Sequence, residues 1–539
     1  MRKIVECVPN FSVGRDPDTI DAIAGAIKGV DGCRLLDVDP GYSTNRTVYT
    51  FVGDPESVIE GALAGARVAR KMIDMRGHKG EHPRFGAMDV CPFIPVVGVT
   101  MDECVEISRR FAQKAADELA VPFYLYEQAA PAVYRCKLSD IRQGEYEGLA
   151  GKLEDPRWKP DFGPDTFVPE WGATATGARM FLIAYNVNLL ATSNQAHRIA
   201  LNLRETGRGE GSPGKLQNVQ GMGWFVDEYD MAQVTVNLTD YKITPLHVVY
   251  EEVKKEAELL GLPVAGSEIV GLVPLESLLS AADYYIEKEG LFIYRENQKL
   301  RLAIERLGLN SIVPFRPEER IIEYITAEKP EEPLASMTTR AFIEEVASRS
   351  SAPGGGSVSA VCAAMGVGLG AMVAKLTYGV RKFENVQGHI QKVLPTLDSV
   401  TQQLIAMIDA DTSAFNEFMD GLRMPQNTKE ERRLRKEKMQ NGLKTAIDVP
   451  LTTMRLGDLA WGPFEVIARY GNPASRSDTQ VGAASLKSGI WGAYQNVLIN
   501  MVDIEDGEYR QKTLEEAEKI NQRAADKCDK VLSLLENRG

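Results

Sequence analysis

The chain has 539 residues, a formal net charge of -13, and 44% hydrophobic against 25% charged residues. That balance is ordinary for a multi-domain globular chain, and the acidic surplus argues against a nucleic-acid partner, whose phosphates call for a basic face. Seven scattered cysteines without a CxxC pair exclude a disulfide scaffold or zinc site and read as reduced thiols of a cytoplasmic protein.

MRKIVECVPNF at the start runs into polar sequence and is no signal peptide. Residues 360–374, the longest apolar run, are mostly Ala and Gly and fall short of a span of ~20 residues, so no membrane role is expected. Short apolar and β-branched runs at 3–11, 34–38 and 46–51 predict strands. The spacing over 55–75 predicts a helix opened by Asp54-Pro55. The stretch Gly77–Asp89 then breaks any helix with its glycines and Pro83, yet it holds His78, His82, Arg84 and two acids. A strand at 93–97, a helix at 102–119 and a strand at 122–125 follow, which is an α/β layer pattern. Residues 137–179 read as irregular, and the Gly/Pro-rich aromatic part Asp161–Gly172 is of the kind used for binding.

From 181 to 273 the order is strand, helix, strand, strand, helix, strand, which matches a ferredoxin-like split βαβ unit. Ala327–Pro333 is a charged, proline-punctuated linker. Beyond Thr338 only long helical patterns remain, at 357–376, 386–419, 429–454, 481–502 and 513–535, so this part is expected to be an all-α bundle. The expected organisation is two α/β subdomains (1–180 and 181–326, both ferredoxin-like, split βαβ), a linker (327–337) and an all-α domain (338–539). The sign-alternating run Lys429–Lys438 reads as a solvated helix face.

His78 and His82 have the i, i+4 spacing of a metal pair, but Gly77, Gly80 and Pro83 remove the helix it would need, so no metal site is expected. An imidazole in such a loop titrates near neutrality and can act as a general base. His78 is expected merely to bond the loop backbone. Asp37, Asp39, Asn45 and Arg46 flank a strand end. There a carboxylate could hold an amine or amidine and Arg46 a substrate carboxylate, although turn and capping residues need no function.

In the helical part, Pro353-Gly354-Gly355-Gly356-Ser357 leads into a helix start that could bind an anion. It lacks the GK[ST] ending of a phosphate loop. Asp409 and Asp411 lie about 200° apart around their helix. Asp411 shares the apolar stripe of Leu404, Met407, Ile408 and Phe415, where burial raises a carboxyl pKa and suits it to acid/base work. Asp409 shares a polar stripe and is expected at the surface.

These motifs resemble a known family. Val5–Ser12, Ser43–Phe51, Gly80-Glu81-His82-Pro83-Arg84 and the Asp161–Gly172 loop are similar to glutamate formiminotransferase. Pro353–Ser359, Asp409–Phe415 and Asn472–Asp478 are similar to formiminotetrahydrofolate cyclodeaminase, and order and length resemble the bifunctional formimidoyltransferase-cyclodeaminase. The resemblance implies transfer of the formimino group of N-formimino-L-glutamate to N5 of tetrahydrofolate, then cyclisation to 5,10-methenyltetrahydrofolate with loss of ammonia. It implies His82 as transferase base and Asp411 as the cyclodeaminase aspartate. It implies a folate-binding loop of Gly163, Pro164, Asp165, Thr166, Phe167, Val168, Pro169, Glu170, Trp171 and Gly172, with Asp39, Asn45, Arg46 and Arg84 placed to meet substrate. It further implies polyglutamylated tetrahydrofolate as carrier, no metal or redox cofactor, and dimers assembled into a ring, with cyclodeaminase sites at a dimer interface. A formylglutamate-specific transferase with a methenyltetrahydrofolate cyclohydrolase-like domain, or a non-catalytic oligomeric scaffold, stays open as an alternative.

Overall fold

The computed structural model describes residues 3–42, 44–80, 83–209, 211–326 and 332–538, and the chain forms two compact units, Met1–Glu328 and Lys329–Gly539. The first unit opens with β1 (Ile4–Cys7) and β2 (Asn10–Phe11), α1 (Pro17–Lys28), β3 (Arg34–Gly41), β4 (Arg46–Gly53), α2 (Pro55–Met72) and β5 (Met88–Val97). Next come α3 (Met101–Leu119), β6 (Phe123–Glu127), α4 (Leu138–Ile141), α5 (Glu145–Glu154) and β7 (Thr174–Ala178). β1 and β2 are two pieces of one strand, antiparallel to β4 on one side and β5 on the other. With β3 outside β4 this is a split βαβ unit, extended beyond β5 by the parallel strands β7 and β6.

Local chemistry fixes these elements. Asp16 caps α1 by accepting from Asp18 N, with Pro17 in the first turn, and Thr100 and Glu103 close a capping box on α3. Phe11, Phe51, Phe93, Phe111 and Phe123 are wholly buried between the sheet and α1–α3. Residues 137–179 are not irregular throughout, since α4, α5 and β7 lie there. β7 reads Thr-Ala-Thr-Gly-Ala and is buried along its length, and its small Ala and Gly residues carry little strand signal. Gly148 and Gly151 dilute the helical signal of α5.

The second half of this unit contains β8 (Ile183–Leu189), α6 (Ser193–Leu203), β9 (Val219–Val226), β10 (Met231–Leu238), α7 (Leu246–Leu259) and β11 (Val264–Val270). The strand order is β11-β8-β10-β9 with every neighbour antiparallel. That is the ferredoxin-like arrangement expected from the sequence. α8 (Leu275–Glu289), α9 (Glu296–Leu307), α10 (Pro317–Arg320) and α11 (Ile322–Thr326) complete it. Ile4, Val52 and Ile94 of the first sheet join the core that holds Phe181, Tyr185 and Val234, so the two subdomains share buried apolar surface.

The second unit is helical: α12 (Thr339–Val346), α13 (Gly355–Thr377), α14 (Gln387–Arg423), α15 (Lys429–Leu459), α16 (Trp461–Tyr470), α17 (Arg476–Asn500) and α18 (Gly507–Glu536). Among the described residues α13 alone is long and apolar enough to cross a membrane by length and composition. That apolarity is spent on packing against α14 and α17. A Cβ at Gly366 would lie 2.6 Å from Leu486 N, and one at Gly489 would lie 2.5 Å from Ala363 N. The two backbones therefore meet along an antiparallel seam that only glycine permits.

Candidate active sites

At one end of the first sheet, register brings the early polar residues together. Gly41 opposes Arg46, Phe11 opposes both Thr47 and Met88, and Asp39 opposes Val48. Asn45 sits in the turn before β4 with φ of 48°, a left-handed conformation that asparagine tolerates better than most residues. Its Oδ1 accepts from Gly14 N at 2.9 Å and its Nδ2 donates to Lys79 O at 3.1 Å. His78 Nε2 lies 2.8 Å from Asn45 O, so the ring donates there and Nδ1 is left as a buried acceptor with no partner among the described residues. Burial and then the Arg84 and Arg15 charges push the His78 pKa down, against its bond to Asn45. His78 thus bonds backbone, though that of the turn before β4 and not of its own loop.

Arg46 is half-buried, and burial pulls its pKa down while Asp89 and Asp39 oppose the shift. Asp89 is 1% exposed, accepts from Phe85 N at 2.8 Å and ion-pairs with Arg142. Arg84 ion-pairs with Glu147, lies 3.9 Å from Glu145 and stacks over the Tyr146 ring at 5.9 Å. Asp39 is exposed on β3. Residues 81–82 lie outside the described residues, so the structure gives the frame around His82 rather than the ring itself.

The loop 163–172 reaches the same end of the sheet, because Gly172 bridges to Gly86 and Ala87 N donates to Trp171 O at 2.7 Å. Trp171 is wholly buried and donates from Nε1 to Thr174 Oγ1, which makes it the anchor of the loop rather than part of its open surface. Glu170 pairs with Arg76 at 3.2 Å, Pro169 O accepts from Tyr146 OH, and Phe167 packs against the Tyr146 ring. Gly163, Asp165, Thr166 and Pro169 are exposed, while Pro164 and Val168 are half-buried.

In the helical unit Asp411 stands on α14 facing the first turn of α13. Its Oδ2 accepts from Ser357 N at 2.9 Å and lies 3.3 Å from Ser357 Oγ. That hydroxyl also reaches Ile408 O at 2.9 Å. A Cβ on Gly356 would fall 1.9 Å from Asp411 Oδ1, so the glycine is required for the carboxyl to come this close. The glycine-rich start of α13 therefore turns its donors to the carboxyl of Asp411. Burial raises the Asp411 pKa, and the two bonds from Ser357 only partly offset it.

Asp409 is not at the surface. It is 8% exposed and accepts from Leu334 N and Ala335 N. The segment before α12 covers this one position, while Gln402, Ser413 and Asn416 of the same stripe stay exposed, and helical periodicity could not reveal that. Ser357, Asp89 and Arg142 escaped the sequence reading as partners, because each contact joins residues 53 or 54 apart. Among the described residues no group of three or more His, Cys, Asp or Glu is arranged to hold a metal ion.

Two α/β subdomains and a helical unit make up the chain, with one cluster of titratable groups in the first subdomain and another in the helical unit. Residues 4–179 match the N-terminal subdomain of the formiminotransferase domain, 184–327 the formiminotransferase domain, and 338–519 formiminotransferase-cyclodeaminase. A formimidoyltransferase-cyclodeaminase of Dictyostelium discoideum is 55% identical over 540 residues, covering 100% of both chains. A glutamate formimidoyltransferase of Streptococcus pyogenes is 40% identical over 297 residues, 55% of this chain and 97% of its own. A methenyltetrahydrofolate cyclohydrolase of Methylorubrum extorquens is 35% identical over 181 residues, 34% of this chain and 87% of its own. The chain belongs to the formimidoyltransferase-cyclodeaminase family.

Proposed function

We propose that the first unit transfers the formimino group from N-formimino-L-glutamate to N5 of tetrahydrofolate, releasing L-glutamate, and that the second cyclises the product with loss of ammonia. Tetrahydrofolate is the substrate that carries the group from one step to the next. In the transfer, N5 attacks the amidine carbon and must lose its proton, which calls for a base of near-neutral pKa. His82 fills that role, in a loop whose flanks are tied to Asn45 and Glu147. The carbon then holds three nitrogens and spreading positive charge, which Asp39 stabilises, while Arg46 and Arg84 meet substrate carboxylates. The exposed part of the 163–172 loop takes the folate. Glutamate leaves as its amine once that nitrogen is protonated.

In the second step N10 attacks the same carbon, N10 loses its proton, and ammonia departs after gaining one. The observation that carries this reading is the half-buried Asp411 carboxyl with its raised pKa, held at the start of α13 by Ser357. In its protonated form it delivers the proton to the leaving nitrogen. The folate is polyglutamylated, the chain self-associates into dimers and a ring of dimers, and the enzyme works in the cytoplasm without a metal. Support for these points comes from the family resemblance and the reduced cysteines.

The test uses the full chain with His82→Ala and Asp411→Asn. Asp411→Asn should lower cyclisation by about 10²–10⁴-fold, the worth of a general acid, and leave glutamate release intact. His82→Ala should do the converse. Wild-type rates in either variant would remove that residue from its role. The likeness of the helical unit to a cyclohydrolase favours a second reading, hydrolysis of the methenyl product. Ammonia release from 5-formiminotetrahydrofolate decides between the two.

A further inference from the structure

The segment 332–337 forms neither helix nor strand, yet it is pinned. The backbone N–H groups of Leu334 and Ala335 donate to the two oxygens of Asp409 at 2.8 and 3.0 Å. Leu334, 7% exposed, belongs to one small apolar cluster with Ile408 and Ala360. Ile408 is also the residue whose carbonyl receives Ser357 Oγ, and it lies three positions before Asp411 on the same helical stripe. The segment thus rests on the junction of α13 and α14 at the level of the Asp411–Ser357 contact. A carboxyl buried in this way is costly unless its oxygens are hydrogen-bonded, and one N–H bond to each oxygen makes the attachment directional.

We propose that Asp409 is a positioning residue for cyclisation, latching segment 332–337 onto α14 so that the segment forms one wall beside Asp411. This rests on the reading of Asp411 as the proton donor of the second step. The latch touches neither Asp411 nor Ser357, so it acts on how the folate intermediate is held and not on proton delivery.

The experiment compares Asp409→Asn, Leu334→Ala and the double variant in the full chain, with 5-formiminotetrahydrofolate supplied directly. An asparagine turns an amide NH₂ toward one of the two N–H donors and breaks that bond. KM for cyclisation should rise roughly tenfold, the worth of one such hydrogen bond, with kcat within about twofold and transfer unchanged. Proteolytic cleavage within 332–337 should speed up in both single variants. The double variant should be no worse than the stronger single one, because both changes release the same segment. Wild-type KM in Asp409→Asn, or a loss confined to kcat, overturns the latch. If Asp409→Asn does not fold, Leu334→Ala keeps the carboxylate and decides by the same readings. Should Asp411→Asn cyclise at the wild-type rate, the reading of the second step falls. If instead Asp411→Asn is dead and Asp409→Asn is silent in KM, only the latch falls.

Discussion

Each unit buries a carboxyl whose pKa is raised, and the two are built in opposite ways. Glu6 is on β1, 3% exposed, between Val52 and Ile94 of the neighbouring strands. Burial lifts it from an ordinary 4.5 to about 7, with Arg179 pulling down and Glu323 pushing up. No hydrogen bond reaches it among the described residues. Asp411 is also lifted by burial, but Ser357 holds it with a backbone N–H and a hydroxyl. A sheet interior has its backbone donors already committed to the ladder, so charges act on Glu6 only from a distance. A helix start has donors to spare, and these fix the oxygen of Asp411 in space. Elevation alone stores a proton, whereas elevation with a fixed oxygen can deliver one.

That contrast can be broken at several points. The largest effect is expected from pH. If Asp411 works as an acid, its neutral form is the active one. The kcat of cyclisation should then be flat at low pH and fall about tenfold per pH unit once pH passes its raised pKa. A profile that instead rises with pH would make Asp411 a base.

Glu6 comes next. Its folded pKa is raised, so stability is complete below 4.5, declines between 4.5 and about 7 as the unfolded chain alone gives up the proton, and stays reduced above. At about 1.4 kcal/mol per pH unit the gap is worth about 3 kcal/mol. Glu6→Gln should therefore raise the melting temperature of the first unit by several degrees at pH 8 and leave it unchanged at pH 4. An equal shift at both values would mean that Glu6 is not titrating.

Gly356→Ala should push the Asp411 carboxyl away. Overpacking of this kind costs about 1–3 kcal/mol, to be read as a loss of cyclisation of roughly tenfold or more with glutamate release untouched. Asn45→Ala removes bonds to Gly14 and Lys79 and places alanine at φ of 48°. The expected cost is about 1–2 kcal/mol, seen as a several-fold drop in transfer alone.

How much of this could be read from the chain depends on the range of each interaction. The second subdomain was legible because alternation, turn residues and helical spacing are local, and its six elements follow one another in that order. Asp411 was legible because its neighbours on the stripe are three and four residues away. β7 was hidden, since three of its five residues are Ala or Gly and carry little strand signal. Asp409 was placed at the surface because a helical stripe shows which residues share a face but not what the rest of the chain lays over it. The partners that shape the sites lie still further off, with Ser357 to Asp411 and Asp89 to Arg142 spanning 54 and 53 residues. His82 stood out by composition, and its neighbours' ties to Asn45 and Glu147 came only with the fold.

The seam between α13 and α17 has a consequence beyond packing. Side chains that interdigitate can re-seat in a neighbouring notch, but two backbones lying in contact at Gly366 and Gly489 have none to move to. A slip of one residue would carry Ser357 about 1.5 Å along the axis and swing it about 100°, taking its N–H away from Asp411. The seam works as a gauge block: chemically inert residues set the tolerance to which the acid at the end of the helix is mounted.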